Sequence, residues 1–334
     1  MSLASPAILA IEYRGGIADN IHRGHLAVVD RAGRIALSVG DPEAIVFYRS
    51  ASKPVQALPT LALELDKKYG ITEEESVVFA ASHAGERCHM AALESIFAKA
   101  GLREDDLIMH EAAPAHRRAD AARLDAGLPK RKLYHNCAGK HAALMLLQRH
   151  LGGDVRDYWR MGSAADVAVR RAMEIMGGGP IAATGLDGCG VPVFAATVVH
   201  IATAFRNLAR PEGIADADLQ RAAEAFVPRI NRSPVLMRGT DFVCGHINEN
   251  PNIIAKGGAA GVYGLGLKAQ GLGLGFKVES GSEDAWPCIL RAVLGRLGAL
   301  TDETEQMLIR LGAAERRNDA GEVAVRWEAP PLSF

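Results

Sequence analysis

Apolar positions follow one rhythm at the two ends of the chain and another in its middle. Near the start, residues 8–13, 25–29 and 35–39 are short runs rich in apolar and β-branched residues. They read as strands, the last two joined as a hairpin through the turn Asp30-Arg31-Ala32-Gly33. From 52–69 onward the apolar residues recur three or four apart, and the same spacing marks 73–80, 90–100, 139–151, 165–176 and 217–227. Each of these predicts a helix with one buried face. Thr72 followed three residues later by Glu75 has the outline of a capping box. The weakly charged stretch 177–205 contains Pro180, Asp187, Pro192 and many glycines, so it is expected to be buried strand and loop rather than a membrane span. Strands return at 253–255, 262–267 and 272–278, followed by helices at 285–297 and near 303–311.

This order predicts an α+β protein in which both chain ends build one antiparallel sheet around a mostly helical middle. No Pro/Ser-rich linker or internal repeat divides the chain. The expectation is a single domain over 1–334 with two lobes, the sheet lobe at about 1–50 and 250–334 and the helical lobe at about 51–249.

Composition narrows the partners. Of 334 residues, 49% are hydrophobic and 23% charged, as in ordinary globular proteins. A formal net charge of -1 gives no electrostatic reason to expect nucleic acid or an anionic membrane. The densest basic run, Lys130-Arg131-Lys132, is short enough to be a solvated turn. No basic segment followed by an apolar stretch and cleavage site opens the sequence, so a cytoplasmic location is expected. Cys88, Cys137, Cys189, Cys244 and Cys288 are odd in number and widely spaced, which favours free thiols or metal ligands over a disulfide framework.

Several segments carry candidate chemistry. Arg49-Ser50-Ala51-Ser52-Lys53-Pro54 places Ser50 three residues before Lys53, on one face of a starting helix. A lysine that loses its proton there can act as base toward a serine nucleophile, and a helix N-terminus favours the developing negative charge. The plain alternative is an N-cap serine beside a surface lysine. Ser82-His83-Ala84-Gly85-Glu86 follows the apolar run Val77-Val78-Phe79-Ala80-Ala81, so its polar groups are expected in a cleft or in a simple polar turn. Asn136-Cys137-Ala138-Gly139-Lys140-His141 lacks the phosphate-loop spacing, which excludes nucleotide binding. Cys137 and Cys189, the latter within Leu186-Asp187-Gly188-Cys189-Gly190-Val191-Pro192, could share a tetrahedral zinc ion or be inert buried thiols. Asp187 suits a substrate ammonium or the cap of a turn. Lys256 precedes glycines at a strand end, where a backbone can approach a substrate closely. A Ser-x-x-Lys helix, a second serine and a strand lysine also converge in penicillin-recognising enzymes, in this order.

Taken together, the four segments around Ser50, Ser82, Cys137 and Asp187 resemble the rhizobial-type L-asparaginases, class 3 of the asparaginase II kind, over about residues 7–328. The resemblance implies a fold similar to serine β-lactamases and glutaminases, and hydrolysis of L-asparagine to L-aspartate and ammonia by a homodimer. It implies two Ser-Lys tandems, Ser50 with Lys53 and Ser82 with Lys256, although Lys268 and Lys277 lie in the same strand-rich region. It also implies zinc bound by Cys137, Lys140 and Cys189, with Arg49, His141 and Asp187 near the substrate. Asp187 would suit the α-ammonium and Arg49 the carboxylate. Ala138 stands where the family pattern has serine, and Ala260 where glutamate is common. Two rivals keep the same residues: a penicillin-recognising hydrolase or D-amino-acid peptidase, and a catalytically silent zinc-containing binding protein.

Overall fold

The computed structural model describes residues 5–331. Its strands are β1 (Ala7–Arg14), β2 (Ile17–Val29), β3 (Ile35–Val39), β4 (Ile45–Phe47), β5 (Ala183–Leu186), β6 (Pro192–Thr197), β7 (Ile253–Gly258), β8 (Val262–Leu267), β9 (Leu272–Val278), β10 (Glu315–Arg317) and β11 (Val323–Glu328). The large sheet runs β10-β11-β1-β2-β9-β8-β7, with β3 also on β2, and its pairs are antiparallel. Both chain ends therefore build one sheet, as their alternating pattern predicts. A second sheet of three strands, β4-β6-β5, was not expected.

Glycine spacing sets how the helices meet the large sheet. Gly264 and Gly266 on β8, and Gly273 and Gly275 on β9, recur two apart and so share a face. The helix Val198–Ala209 lies against them so closely that a Cβ on Gly264 would fall 2.0 Å from the Phe205 ring, and one on Gly273 2.0 Å from the Ala202 carbonyl. The stretch expected to be strand and loop thus ends in this helix, whose apolar run alone does not separate the two states. The opposite face packs Leu26, Leu265, Leu274 and Phe276 against Ile289, Leu290, Val293 and Leu308 from the helices Trp286–Arg296 and Asp302–Arg310.

The helical middle has its own core, with Leu58, Phe79, Leu93, Leu146, Phe205 and Phe226 in one buried cluster. Its helices include Lys53–Ala62, Arg87–Ala100, Ala138–His150, Ala164–Gly177 and Ala217–Arg232. The helix expected over 52–69 breaks where Glu64 takes a left-handed φ of 50°, and resumes as Leu65–Lys68. The capping box forms as expected, with Thr72 accepting from the Glu75 N–H and Glu75 from the Thr72 N–H. All five cysteines are free, four of them buried. Among the described residues, no helix is long and apolar enough to cross a membrane.

Candidate active site

The Ser-x-x-Lys segment sits where the small sheet hands over to a helix. Tyr48 donates its N–H to the Phe194 carbonyl at 2.9 Å, continuing the β4–β6 pairing. The next residue, Arg49, turns the chain with φ of 49°, a left-handed conformation rarely adopted by a residue with a side chain. The Ser52 hydroxyl donates to the Arg49 carbonyl at 2.7 Å and steadies the turn. Arg49–Ser52 forms a 3₁₀ turn and the helix starts at Lys53, with Pro54 in its first turn where no N–H is needed. Strand β7 presses on this turn. A Cβ on Gly258 would lie 2.6 Å from the Tyr48 carbonyl and 3.1 Å from the Ser50 N. Only glycine lets the two backbones approach so closely. Among the described residues, the Ser50 N–H has no backbone acceptor and its hydroxyl no hydrogen-bond partner.

Lys53 is fully buried, and its ammonium donates to the Ala81 carbonyl at 2.7 Å, the Ser82 hydroxyl at 3.0 Å and the Cys137 sulfur at 3.2 Å. Burial lowers its pKa, with Lys140 adding to the fall while Cys137 and Cys189 oppose it. The serine that Lys53 touches is therefore Ser82, from the loop after the buried turn Val77–Ala80. Ser82 is itself buried, and its N–H donates to the Met237 carbonyl at 3.0 Å. Lys256, on β7, is also buried, and its ammonium donates to the Gly257 carbonyl at 2.5 Å. Burial brings its pKa down to about 7, opposed by Cys244 and helped by the positive charges of Lys53 and Arg238. The other lysines of the region point elsewhere: Lys268 donates to Asn231 and Lys277 to the Val278 carbonyl.

Cys137 caps the N-terminus of the helix Ala138–His150. That helix starts hard against the Val77–Ala80 turn, since a Cβ on Gly139 would meet the Val78 carbonyl at 2.0 Å. The glycine of the Asn-Cys-x-Gly-Lys-His segment is thus a packing requirement that brings Cys137 to Lys53. Cys189 arrives on the tight loop between β5 and β6, closed by the Asp187 N–H to Val191 carbonyl bond at 2.9 Å, with Gly190 at φ of 90°. Lys140 donates to the Cys189 sulfur at 3.2 Å. A hydrogen bond from the Cys189 thiol, together with Lys53 and Lys140, holds Cys137 well below the usual thiol range despite its burial. The Cys189 thiol is held up by the same contact and by burial. Burial would lower Lys140, but the two sulfurs hold it above the ordinary lysine value. Among the described residues, no group of three or more His, Cys, Asp or Glu side chains is arranged to hold a metal.

Arg49 and Asp187 form an ion pair, Nε to Oδ1, at 3.0 Å, and the same carboxylate oxygen accepts the Gly188 N–H at 2.9 Å. His141 is buried, with Nδ1 2.7 Å from the Tyr158 hydroxyl and Nε2 lacking a partner. Burial and Lys140 push its pKa well below the ordinary histidine value, so it is neutral. The fold thus joins Lys53, Ser82, Cys137, Cys189 and Lys140 through a connected set of contacts, with Ser50 one turn before Lys53 on the chain and Arg49 bonded to Asp187 beside it.

Three participants escaped the sequence reading. His83, beside Ser82, is buried with neither ring nitrogen bonded, and stacks on His89 with ring centroids 5.4 Å apart. Tyr158 orients His141. Arg238 donates to the Ser82 carbonyl at 3.0 Å. Only His83 lay in a motif that could have flagged it; Arg238 stands in an irregular segment without periodicity.

The sequence matches the model of the L-asparaginase II family over residues 10–328. The chain belongs to that family. No curated protein matched the sequence. Among solved structures, the chain is similar to Mglu in its native form, with 14% identity and a TM-score of 0.45, covering 84% of this chain and 62% of that one. This chain thus spans about three fifths of that protein's length. It is also similar to a β-lactamase from Mycobacterium bovis, at 17% identity and a TM-score of 0.44 over 82% of this chain and 94% of that one. A Bacillus glutaminase matches at 11% identity and a TM-score of 0.36 over 78% and 84% of the two chains.

Proposed function

We propose that the protein hydrolyses L-asparagine to L-aspartate and ammonia through an aspartyl ester on Ser50. The observation that carries the reading is Lys53: a buried amine one helical turn after Ser50, bonded to the Ser82 hydroxyl at 3.0 Å. Ser50 Oγ attacks the side-chain amide carbon, and its proton passes through the Ser82 hydroxyl to Lys53, which acts in the neutral form that its burial favours. The oxyanion is stabilised by backbone N–H groups, among them the unpaired Ser50 N–H at the start of the helix. Protonation of the amide nitrogen releases ammonia, and water then hydrolyses the ester to aspartate and free Ser50. Lys256, with its pKa brought down to about 7 and close enough to feel the charge of Lys53, assists the proton transfers. The second oxygen of Asp187 takes the α-ammonium, with Arg49 and His141 at the same end of the substrate.

Ser50→Ala is expected to abolish ammonia release with the fold intact, by circular dichroism; activity near wild type would sink the assignment. The 3.0 Å contact favours one rival within the same chemistry, Ser82 as the nucleophile. Acid-quenching the reaction and mapping the aspartylated peptide separates the two serines.

Zinc belongs to the proposal as a bound ion. Two thiols and an amine converge at Cys137, Cys189 and Lys140, a donor set that fits zinc once Lys140 gives up its proton. Bound there, the ion would supply positive charge beside the substrate's head group. Metal content after purification, compared between wild type and Cys189→Ser, tests it. A homodimer is the proposed assembly, to be read from sedimentation equilibrium.

A further inference from the structure

The substrate's carboxylate requires a cation, and Arg49 is already engaged by a carboxylate. Its Nε donates to Asp187, whose side chain is 10% exposed, so a second carboxylate placed on Arg49 would also face Asp187. Like charges at contact distance oppose each other strongly in a dry site.

Arg238 is in the opposite situation. Among the described residues it forms no ion pair with any carboxylate. Its guanidinium is nevertheless held in place. One terminal nitrogen donates to the Ser82 carbonyl at 3.0 Å, and the guanidinium carbon lies 4.7 Å above the Phe242 ring. The backbone that follows is clasped as well. Glu86 accepts the Thr240 N–H at 2.9 Å and the Thr240 hydroxyl at 3.1 Å, and a Cβ on Gly239 would meet the Glu86 Oε1 at 2.1 Å. Thr240 in turn meets His116, which pairs with Asp241 at 3.0 Å.

Ser82 joins this arginine to the reaction centre. Its carbonyl takes Arg238 while its hydroxyl takes Lys53. Arg238 is also one of the positive charges felt by Lys256. A fixed guanidinium with an unused fork, at the edge of a nucleophilic centre and without a carboxylate, is a receptor for a carboxylate.

We propose that Arg238 anchors the α-carboxylate of the amino-acid substrate, and that Arg49 is a positioning residue that orients Asp187 toward the α-ammonium. This rests on the reading that the substrate is asparagine. It deepens that reading by dividing recognition of the head group between two separate arms.

The test compares asparagine with 3-aminopropanamide, which is asparagine with its carboxylate replaced by hydrogen. Arg238→Met keeps the stem on Phe242 and removes the fork. It should raise KM for asparagine about 10- to 100-fold with kcat changed little, the size expected for charge-assisted hydrogen bonds. It should lower kcat/KM for 3-aminopropanamide at least tenfold less than for asparagine, and Arg238→Lys should recover part of the loss. An unchanged KM for asparagine would overturn the proposal. So would an equal loss on both substrates, which is the mark of a merely structural hold on Ser82. Calorimetric titration with L-aspartate reads the same anchor without turnover. Aspartate binding that weakens in Arg238→Met, in a protein that releases no ammonia from asparagine, would defeat the hydrolase reading alone. Aspartate binding that ignores Arg238 but depends on Arg49 would defeat the division of roles and restore Arg49 as the carboxylate site.

Discussion

Lys53 and Lys256 are both fully buried and close enough for the charge of one to act on the other, yet they are bonded very differently. Lys53 has three acceptors, a carbonyl, a hydroxyl and a sulfur, and Cys137 and Cys189 oppose the fall in pKa that burial imposes on it. Lys256 has one neighbouring carbonyl and two nearby cations. Burial alone does not decide what a lysine does. Burial lowers the pKa of both, and the groups around each decide which hydroxyl or carbonyl it can exchange a proton with. In the proposed mechanism Lys53 takes the nucleophile's proton and Lys256 tunes and relays.

The largest expected effect falls on turnover. Lys53→Met should lower kcat by about 10⁴-fold and Lys256→Met by about 10²-fold, within the range for acid–base groups, as read by ammonia release. Equal losses would erase the distinction between the two lysines.

Stability should move the other way. Lys256 is pushed from 10.5 to about 7, and removing such a group relieves up to about 4–5 kcal/mol at neutral pH. Lys256→Met should therefore unfold at higher urea concentration. Lys53→Met should gain less, because it strands the Ala81 carbonyl and the Ser82 hydroxyl at about 1–3 kcal/mol each. A Lys256→Met protein less stable than wild type would show that its one hydrogen bond outweighs its desolvation.

Next comes the contact of β7 with the Ser50 turn. Gly258→Ala places a methyl 2.6 Å from the Tyr48 carbonyl, so strand and turn must part. Activity is expected to fall roughly 10- to 100-fold with circular dichroism unchanged, because a misplaced reacting group loses rate steeply. Full activity would mean that this approach is not part of the catalytic geometry.

The smallest effect is the pH profile. Between pH 7 and 10.5 the unfolded chain carries the Lys256 proton and the folded chain does not, so stability should rise with pH across that window and flatten below about 7. Activity that needs neutral Lys256 should rise through about pH 7. Both slopes should shrink in Lys256→Met, measured by urea midpoints and kcat/KM against pH; slopes that persist would point to another group.

Much of this architecture was legible along the chain. The end strands, the hairpin around Asp30–Gly33 and most long helices follow from period alone, as does the capping box at Thr72. Other elements left weaker traces. The strands β10 and β11 carry several charged residues near the sheet edge, so alternation there is faint. The helix Val198–Ala209 is buried on most sides against the glycine tracks of β8 and β9, and it follows directly on the apolar strand Pro192–Thr197, so its start has no break in the apolar run to mark it.

The sequence by itself determined the chemical groups: Ser50, Lys53, Ser82, Cys137, Lys140, Asp187, Cys189 and Lys256, each marked by a glycine, a proline or a turn with a steric purpose. Spacing suggested that Lys53 pairs with Ser50. Only the tertiary structure decided that its ammonium meets Ser82, 29 positions away, and Cys137, 84 positions away. It also decided that Arg238 holds the Ser82 carbonyl from 156 positions along the chain. Local spacing fixes which face of an element a side chain occupies, whereas its hydrogen-bond partners depend on which loops the packed core presses together.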